Sequence, residues 1–313
     1  MSEQVRLLTP PRGRFSIFDM TDASALVAVI GGSGFYELEG LTDVQEHRAE
    51  TPFGAPSDAL VLGTLEGVRM AFLPRHGLGH RILPAELPAR ANVWALKRLG
   101  VERIIAVSAV GSLREEIEPL HFVVPDQLID RTRGRPSTFF GNGLVAHIAF
   151  DQPFCAELSG LLASSAEQAG ATVHQGGTGV VIDGPAFSTK GESHLYRSWG
   201  ADIIGMTALP EAKLAREAEI CYAGLSLVTD YDTWRESSEP VTGEMIIQNL
   251  TRNVDMAKRI VAEAVRGLPA ARACSCGSAL ANALVTAPAL VPDDVKRDLA
   301  PIIERYMSVG ATA

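Results

Sequence analysis

The sequence predicts one α/β domain built on a central mixed β-sheet, and three observations carry that expectation. Short β-branched runs end on glycine or a hydroxyl: VAVIGG at 27–32, RIIAVSAV at 103–110 and ADIIGMT at 201–207. Between them lie stretches whose apolar residues fall at helical spacing. No linker or internal repeat divides the 313 residues, and the alternation is too irregular for eight even βα units.

Residues 1–25 mix proline, glycine and charge without period and read as a flexible leader. VAVI (27–30) is a buried strand. ALVLGTLE (59–66) and VRMAFLPRH (68–76) read as a hairpin about Gly67. AELPARANVWALKRL (85–99) keeps helical spacing from about Arg90, and Gly100 closes it. A strand at 103–110 is followed by HFVVPDQLID (121–130), a second one broken by Pro125. Residues 132–146, rich in Gly, Arg, Pro and Ser, form a loop long enough to be functional. PFCAELSGLLASSAEQAG (153–170) is a helix, and TVHQGGTGVVIDGP (172–185) a hairpin or paired strands. ESHLYRSWG (192–200) is a helix, 201–207 a strand, and PEAKLAREAE (210–219) a helix opened by proline. CYAGLSLVTDYD (221–232) is a strand running into polar residues, and 245–268 is a long amphipathic helix.

With 46% apolar and 21% charged residues the chain can bury a large core. A net charge of −9 argues against nucleic acid or an anionic membrane as partner, because both select a basic face. No apolar run is long enough to span a bilayer, and MSEQVRLLTPPRGRF lacks a hydrophobic signal core, so a cytoplasmic protein is expected. Four cysteines are too few for a disulfide framework in this length. Cys155 and Cys221 sit in apolar surroundings and read as core thiols. Cys274-Ser-Cys276 has no other cysteine or histidine near it in the chain. It reads as reduced thiols at a helix start, with redox chemistry as the alternative and no metal expected.

VAVIGGSGFY (27–36) ends its strand on Gly31 and Gly32, offers the Ser33 hydroxyl and adds Gly34. Glycines at the carboxyl edge of a strand leave backbone N–H groups free for an anion. The dinucleotide fingerprint fails, since Glu37 stands where the third glycine of G-x-G-x-x-G would fall. Arg75 and His76 end the hairpin, with His80 four positions on. At a strand end they can grip a tetrahedral oxyanion, the Arg through its rigid donor fork, unless they form an ordinary structural pair. Ser108 and Ala109 supply a hydroxyl and N–H groups before Gly111, and Thr207 has the same character. Each alone is an ordinary turn residue. Thr229-Asp230-Tyr231-Asp232 sets two carboxylates two apart on an extended segment, hence on one face. Burial would raise one of them until it donates a proton near neutrality; the plain alternative is a solvated turn. Phe187, in DGPAFST, can stack on a flat ring, and Met206 can pack under a sugar, although both are core residues by default.

In order along the chain, GGSGFY, PRHG, AVGSLREEI with DQLIDRT, DGPAFST, and WGADIIGMTALPEAKLAREAEICYA with TDYDTW resemble the trimeric purine nucleoside phosphorylases. Within them the chain most resembles the 5′-methylthioadenosine phosphorylases, collinearly over residues 26–268. The resemblance implies a single α/β domain with a twisted mixed central sheet flanked by helices. The phosphorylase domain would span 26–268, followed by a C-terminal helical extension, 269–313, packed on the same domain. CSCGSALANALVT (274–286) resembles the C-terminal helix that helps wall the 5′ pocket in prokaryotic-type members. A homotrimer is implied (hexamers occur in relatives), with active sites at subunit boundaries. Ser33, Arg75, His76, Ser108, the N–H of Ala109 and Thr207 would hold phosphate. Met206 would lie by the ribose and Phe187 over the purine, while Asp230 and Asp232 face N7 and the exocyclic amine of adenine. His147 would reach the neighbouring subunit's 5′ pocket, near Gly243 and Ile246. The chain departs from the family at Ala186, where arginine is usual, at Pro88 and Ala89, where asparagine and an aromatic are usual, and at Gly243, where relatives often carry valine.

The reaction so implied is reversible phosphorolysis of a 5′-deoxy-5′-substituted adenosine, 5′-methylthioadenosine first, to adenine and the 5-substituted ribose 1-phosphate. Inorganic phosphate is the co-substrate, and no metal or organic cofactor is expected. A phosphorylase of 5′-halo-5′-deoxyadenosine, or a broader purine nucleoside phosphorylase, is the near alternative, because Gly243 reshapes the 5′ pocket. From other classes, a nicotinamide dehydrogenase fails at Glu37. A non-catalytic nucleotide-binding protein would keep the glycines but not the co-occurrence of Arg75, His76 and Asp230.

Overall fold

The computed structural model describes residues 25–32, 38–235 and 243–308, the side chains of 243–247 excepted. The leader up to residue 24, Ser33 and the side chain of Ile246 lie outside the described residues. In chain order the elements are β1 (Val27–Gly31), β2 (Thr42–His47), β3 (Leu60–Leu65), β4 (Val68–Pro74), α1 (Ala89–Arg98), β5 (Arg103–Ser112), β6 (Phe122–Val124), β7 (Gln127–Asp130) and α2 (Ala156–Gln168). They continue as β8 (Val173–Gln175), β9 (Thr178–Val181), α3 (Lys190–Ser198), β10 (Ile203–Gly205), α4 (Ala208–Glu217), β11 (Cys221–Asp230), α5 (Gly243–Arg266), α6 (Asp293–Asp298) and α7 (Ala300–Ile303).

Local chemistry accounts for many of these boundaries. The β3–β4 hairpin turns through Glu66 and Gly67 at φ of 50° and 76°, the positive pair that a two-residue type I′ turn requires. Thr189 and Glu192 form a capping box on α3: the Thr189 hydroxyl accepts from the Glu192 N–H at 3.2 Å, and the Glu192 carboxylate accepts from the Thr189 N–H at 2.9 Å. α5 buries Ala257, Ile260, Val261, Ala264 and Val265, a stripe of helical period.

The eleven strands among the described residues join one mixed sheet. Its centre is the parallel run β4-β1-β5-β11. Alternate residues of β1 feed two cores. Ala28 and Ile30 pack with α1, α4 and α7, while Val27 and Val29 pack with α2 and α5. Burying each such valine or isoleucine contributes ~1.5–3 kcal/mol, so the sheet is stable only with helices on both faces. No helix among the described residues is long and apolar enough to cross a membrane.

Beyond β5 the sheet forks. One branch runs β11-β6-β8 and the other β10-β9-β7. Pro125 and the Gly176-Gly177 pair interrupt two neighbouring chain segments side by side, so that β6 pairs with β8 in one branch and β7 with β9 in the other. Residues 172–185 are therefore not a hairpin. Gly176 and Gly177, at φ of 89° and 110°, swing the chain from one branch to the other instead of folding it back.

The C-terminal part also departs from expectation. Residues 274–286 are not a regular helix but a 3-10 turn, Ser275–Ser278, followed by further turns and an isolated bridge between Ala146 and Leu284. The Leu280 N–H is taken by the Glu219 carboxylate at 3.0 Å, which draws the segment onto the domain instead of into a helical ladder. Leu280, Ala283, Ile302 and Ile303 enter the same core as α1 and α4, and the Trp94 indole donates to the Asp298 carbonyl at 2.8 Å. Cys155 and Cys221 are buried core thiols, as expected, and with Cys274 and Cys276 they bring four Sγ atoms within 4.8 Å of one another.

Candidate active site

The fork opens a cavity of about 290 Å³. β5 and β11 run parallel until a bulge between Val228 and Asp230, and β10 then meets β5 antiparallel at Gly111 and Ser112. Past this bulge α5 braces the strand end through two asparagines. Asn249 Nδ2 donates to Thr229 O at 2.7 Å and Asn253 Nδ2 to Val228 O at 3.2 Å. The end of β11 is thereby anchored with its side chains turned to the gap.

At one end of the cavity are hydroxyls. Because β10 runs back along β5, Thr207 returns beside Ser108, and their oxygens share a hydrogen bond at 3.2 Å. Ala109 and Gly32 also line this end. Arg135, from the 132–146 loop, fixes the Thr207 side. Its Nη1 donates to Met206 O (2.7 Å) and Leu209 O (2.9 Å), and its Nη2 to Ile182 O (3.2 Å) and Asp183 O (2.8 Å).

Arg75 and His76 line the same end with chemistry that differs from expectation. The Arg75 fork is closed on a carboxylate, not open to an anion. Nε and Nη2 donate to Glu211 at 3.0 Å each, Nη1 to Val107 O at 2.8 Å and Nη2 to Ile30 O at 3.2 Å. Of its five N–H groups only one, on Nη1, is left for a ligand. Burial lowers the pKa of this guanidinium, and the Glu211 charge more than reverses that. His76 is held at about 4 by burial, despite a bond to Ile82 O, with the Arg75 and His80 charges adding to the depression. It is therefore neutral at physiological pH. Since Ile82 O can only accept, His76 Nδ1 carries the hydrogen (2.8 Å) and Nε2 presents a lone pair. A neutral His76 grips an oxyanion only by accepting from a protonated oxygen.

At the other end stand two carboxyls. Asp230 and Asp232 are each 6% exposed. Burial raises Asp230 to about 6; the Thr229 hydroxyl, donating at 2.8 Å, opposes this, and the Asp232 charge adds to it. Burial also raises Asp232, against Ser193, the Thr233 N–H and Ser188. Its Oδ2 is buried without a hydrogen-bond partner, and so are the Ser188 and Ser193 hydroxyls that act on this carboxyl. Gly111 makes the pair possible: a Cβ there would lie 3.1 Å from Asp230 Oδ1 and 3.3 Å from Asp232 Cβ.

Met206 and Phe187 line the middle of the cavity, Phe187 being 46% exposed. His147 does not join them. It is exposed, and its N–H donates to Ala283 O at 2.9 Å, on the strip where the C-terminal segment meets residue 146. Gly243 opens α5, with its surroundings outside the described residues. Sequence reasoning missed Glu211, Thr229, Gly111 and Arg135 as parts of the site. A carboxylate facing an apolar stretch in LPEAKLA was the one available sign of a buried partner.

A forked mixed sheet with a hydroxyl-and-histidine end facing a buried acid pair defines a class of enzyme. The chain matches the phosphorylase superfamily over residues 26–266 and belongs to that family. The particular relatives are of one kind. The S-methyl-5′-thioadenosine phosphorylase of Geobacter sulfurreducens is 58% identical over 283 residues, 90% of this chain and 99% of that protein. A methylthioadenosine phosphorylase from an antarctic soil metagenomic library superposes with a TM-score of 0.87 at 48% identity, covering 90% of this chain and 99% of that one. A mutant adenosine/methylthioadenosine phosphorylase from Schistosoma mansoni, solved with methylthioadenosine, does so with a TM-score of 0.76 at 35% identity, covering 90% and 98%.

Proposed function

We propose that this chain cleaves the N-glycosidic bond of 5′-methylthioadenosine with inorganic phosphate, giving adenine and 5-methylthioribose 1-phosphate. The observation that carries the reading is a single cavity with opposite chemistry at its two ends: the Ser108–Thr207 hydroxyl pair and the buried Asp230–Asp232 pair.

Phosphate binds against Ser108, Thr207, the N–H of Ala109 and the remaining Arg75 N–H, with Ser33 completing the set, and His76 Nε2 accepts a phosphate hydroxyl. As C1′–N9 breaks, a phosphate oxygen bonds C1′ and the electron pair passes to the base. Protonated Asp230 delivers its proton to N7. A placed general acid is worth ~10²–10⁴ in rate, and an oriented anion beneath the cationic sugar adds proximity and charge. Asp232 shares the exocyclic amine, which gives its unpaired Oδ2 a donor. Met206 packs by the ribose and Phe187 over the purine. Phosphate is itself the nucleophile, so the reaction uses no metal or organic cofactor.

The working unit in this reading is a cytoplasmic homotrimer. His147, exposed and away from this chain's own cavity, serves a neighbour's 5′ pocket, while Gly243 and Ile246 belong to the helix assigned to the 5′ pocket. A phosphate-dependence assay tests the chemistry, with kcat/KM compared for methylthioadenosine, 5′-chloro-5′-deoxyadenosine, adenosine and inosine. Adenine release without phosphate overturns phosphorolysis, and a first rank for the chloro compound moves the assignment to the halo-nucleoside reading. A fully active monomer in light scattering overturns the trimer.

A further inference from the structure

Every cysteine of the chain meets at one place, far from the reaction. Cys155 is the residue before α2, Cys221 opens β11, and Cys274 and Cys276 hold the 3-10 turn Ser275–Ser278. Their four Sγ atoms lie within 4.8 Å of one another, Cys221 and Cys274 at 3.3 Å, and all are unbonded thiols. Three are buried and Cys274 is partly so. Three chain segments, separated by 53 residues between Cys221 and Cys274 alone, thus contribute to one knot of sulfur. We propose that these four cysteines form a tetrathiolate site for one divalent, thiophilic metal ion of the zinc class.

Geometry favours this over the alternatives. A zinc–thiolate bond of ~2.3 Å sets the edges of a sulfur tetrahedron at about 3.8 Å, inside the spread of these four atoms. Each sulfur neighbours the other three, whereas two disulfides would sort them into two close pairs. The ligand arrangement is that of a closed structural site. Cys274 and Cys276 give two ligands from one tight turn, and the other two come from the ends of core elements. Four protein thiolates leave no open position for a substrate. Asp230 stands at the far end of β11 from Cys221, about 30 Å away at ~3.3 Å per residue.

Charge is compatible with such a site. Four thiolates carry four negative charges, and a dication offsets two of them. Binding releases the thiol protons to solvent and leaves a net −2, part of which Arg216, facing Cys276, offsets. The ion would fasten the C-terminal segment to α2 and β11. The same segment carries Leu280, held by Glu219, and Ala283, which accepts from the His147 N–H. The metal therefore secures the strip on which His147 rests.

The test is metal analysis of the full chain, purified without chelators or metal-affinity resin. About one zinc per chain is expected, released in step with thiols as a mercurial is titrated in. Cobalt(II) exchanged into the site should show the visible bands of a tetrahedral tetrathiolate. Cys276→Ser should reduce bound metal at least tenfold. Should that variant not fold, the wild type decides alone. Four reactive thiols in denaturant with no metal bound would overturn the site, and so would any disulfide among the four in freshly prepared protein.

Discussion

Arg75 and Glu211 form a two-pronged ion pair with side chains 3% and 4% exposed, and the Tyr222 hydroxyl donates to the same carboxylate at 2.9 Å. Through Val107 O and Ile30 O the guanidinium also ties the ends of β5 and β1 together. Removing one member of a buried pair strands the other, at ~3–5 kcal/mol, whereas replacing both with apolar side chains is often close to neutral. Arg75→Ala should therefore lower the urea midpoint severely, and Arg75→Met with Glu211→Leu should recover most of that loss. A single variant as stable as the wild type would show that the pair does not hold the strand ends.

Asp230, raised from 3.8 to about 6, makes stability depend on pH with a definite sign. Between about pH 4 and pH 6 the folded chain keeps a proton that the unfolded chain releases, so this carboxyl's contribution falls as pH rises and is least above pH 6. Asp230→Asn should exceed the wild type by up to about 3 kcal/mol at pH 7.5 and match it near pH 3.5. His76, lowered from 6.5 to about 4, works in the opposite sense: its contribution is present above 6.5 and lost as pH falls through 4. Urea midpoints at the two pH values check the difference; a variant no more stable than the wild type at pH 7.5 contradicts the raised carboxyl.

Base choice should follow from the same carboxyl. A carboxyl that shares a proton donates to N7 and accepts from a 6-amino group, but it repels a 6-carbonyl, which an amide N–H₂ would welcome. The wild type should prefer methylthioadenosine to methylthioinosine by a large factor, on the order of 10⁴ where polar groups mismatch in a dry pocket. Asp230→Asn should slow the amino substrate and raise relative activity on the oxo substrate. Equal kcat/KM for the two in the wild type would mean that Asp230 does not read the base.

Gly111 sets how closely the acids approach the fork. A methyl group there would meet Asp230 Oδ1 at 3.1 Å, Ile204 Cγ2 at 3.2 Å and Asp232 Cβ at 3.3 Å. Overpacking of this kind costs ~1–3 kcal/mol, and a misplacement near 1 Å can cost on the order of 10²-fold in rate. Gly111→Ala should thus lower kcat/KM by roughly ten- to a hundredfold while phosphate KM changes less, because the hydroxyl end is untouched. Steady-state kinetics in both substrates separates the two; unchanged kcat/KM would show that the acids have room to move.

Several elements were legible in the chain itself for a local reason. β1, β5 and β11 read as uninterrupted apolar runs because strands buried on both faces have no polar side. α2 and α5 were legible from their period, and the β3–β4 turn from Gly67. Ser108, Thr207, Asp230 and Asp232, each an ordinary turn residue alone, stood out because several apolar runs of one chain end on hydroxyls or acids. What the chain could not declare were partners. Glu211 lies 136 residues from Arg75 and turns an open fork into a closed one. Ile82 O decides which His76 nitrogen carries the hydrogen, and burial decides that the ring is neutral. The Gly176-Gly177 break becomes a branch instead of a hairpin only because Pro125 interrupts the neighbouring segment beside it. The four cysteines, unrelated in spacing, meet because α2, β11 and the C-terminal turn pack there. Periodicity and turn chemistry act over a few neighbouring residues and are written in sequence order. Ion pairs, proton positions and sulfur clusters are chosen by distance through space, which is settled only when the layers close.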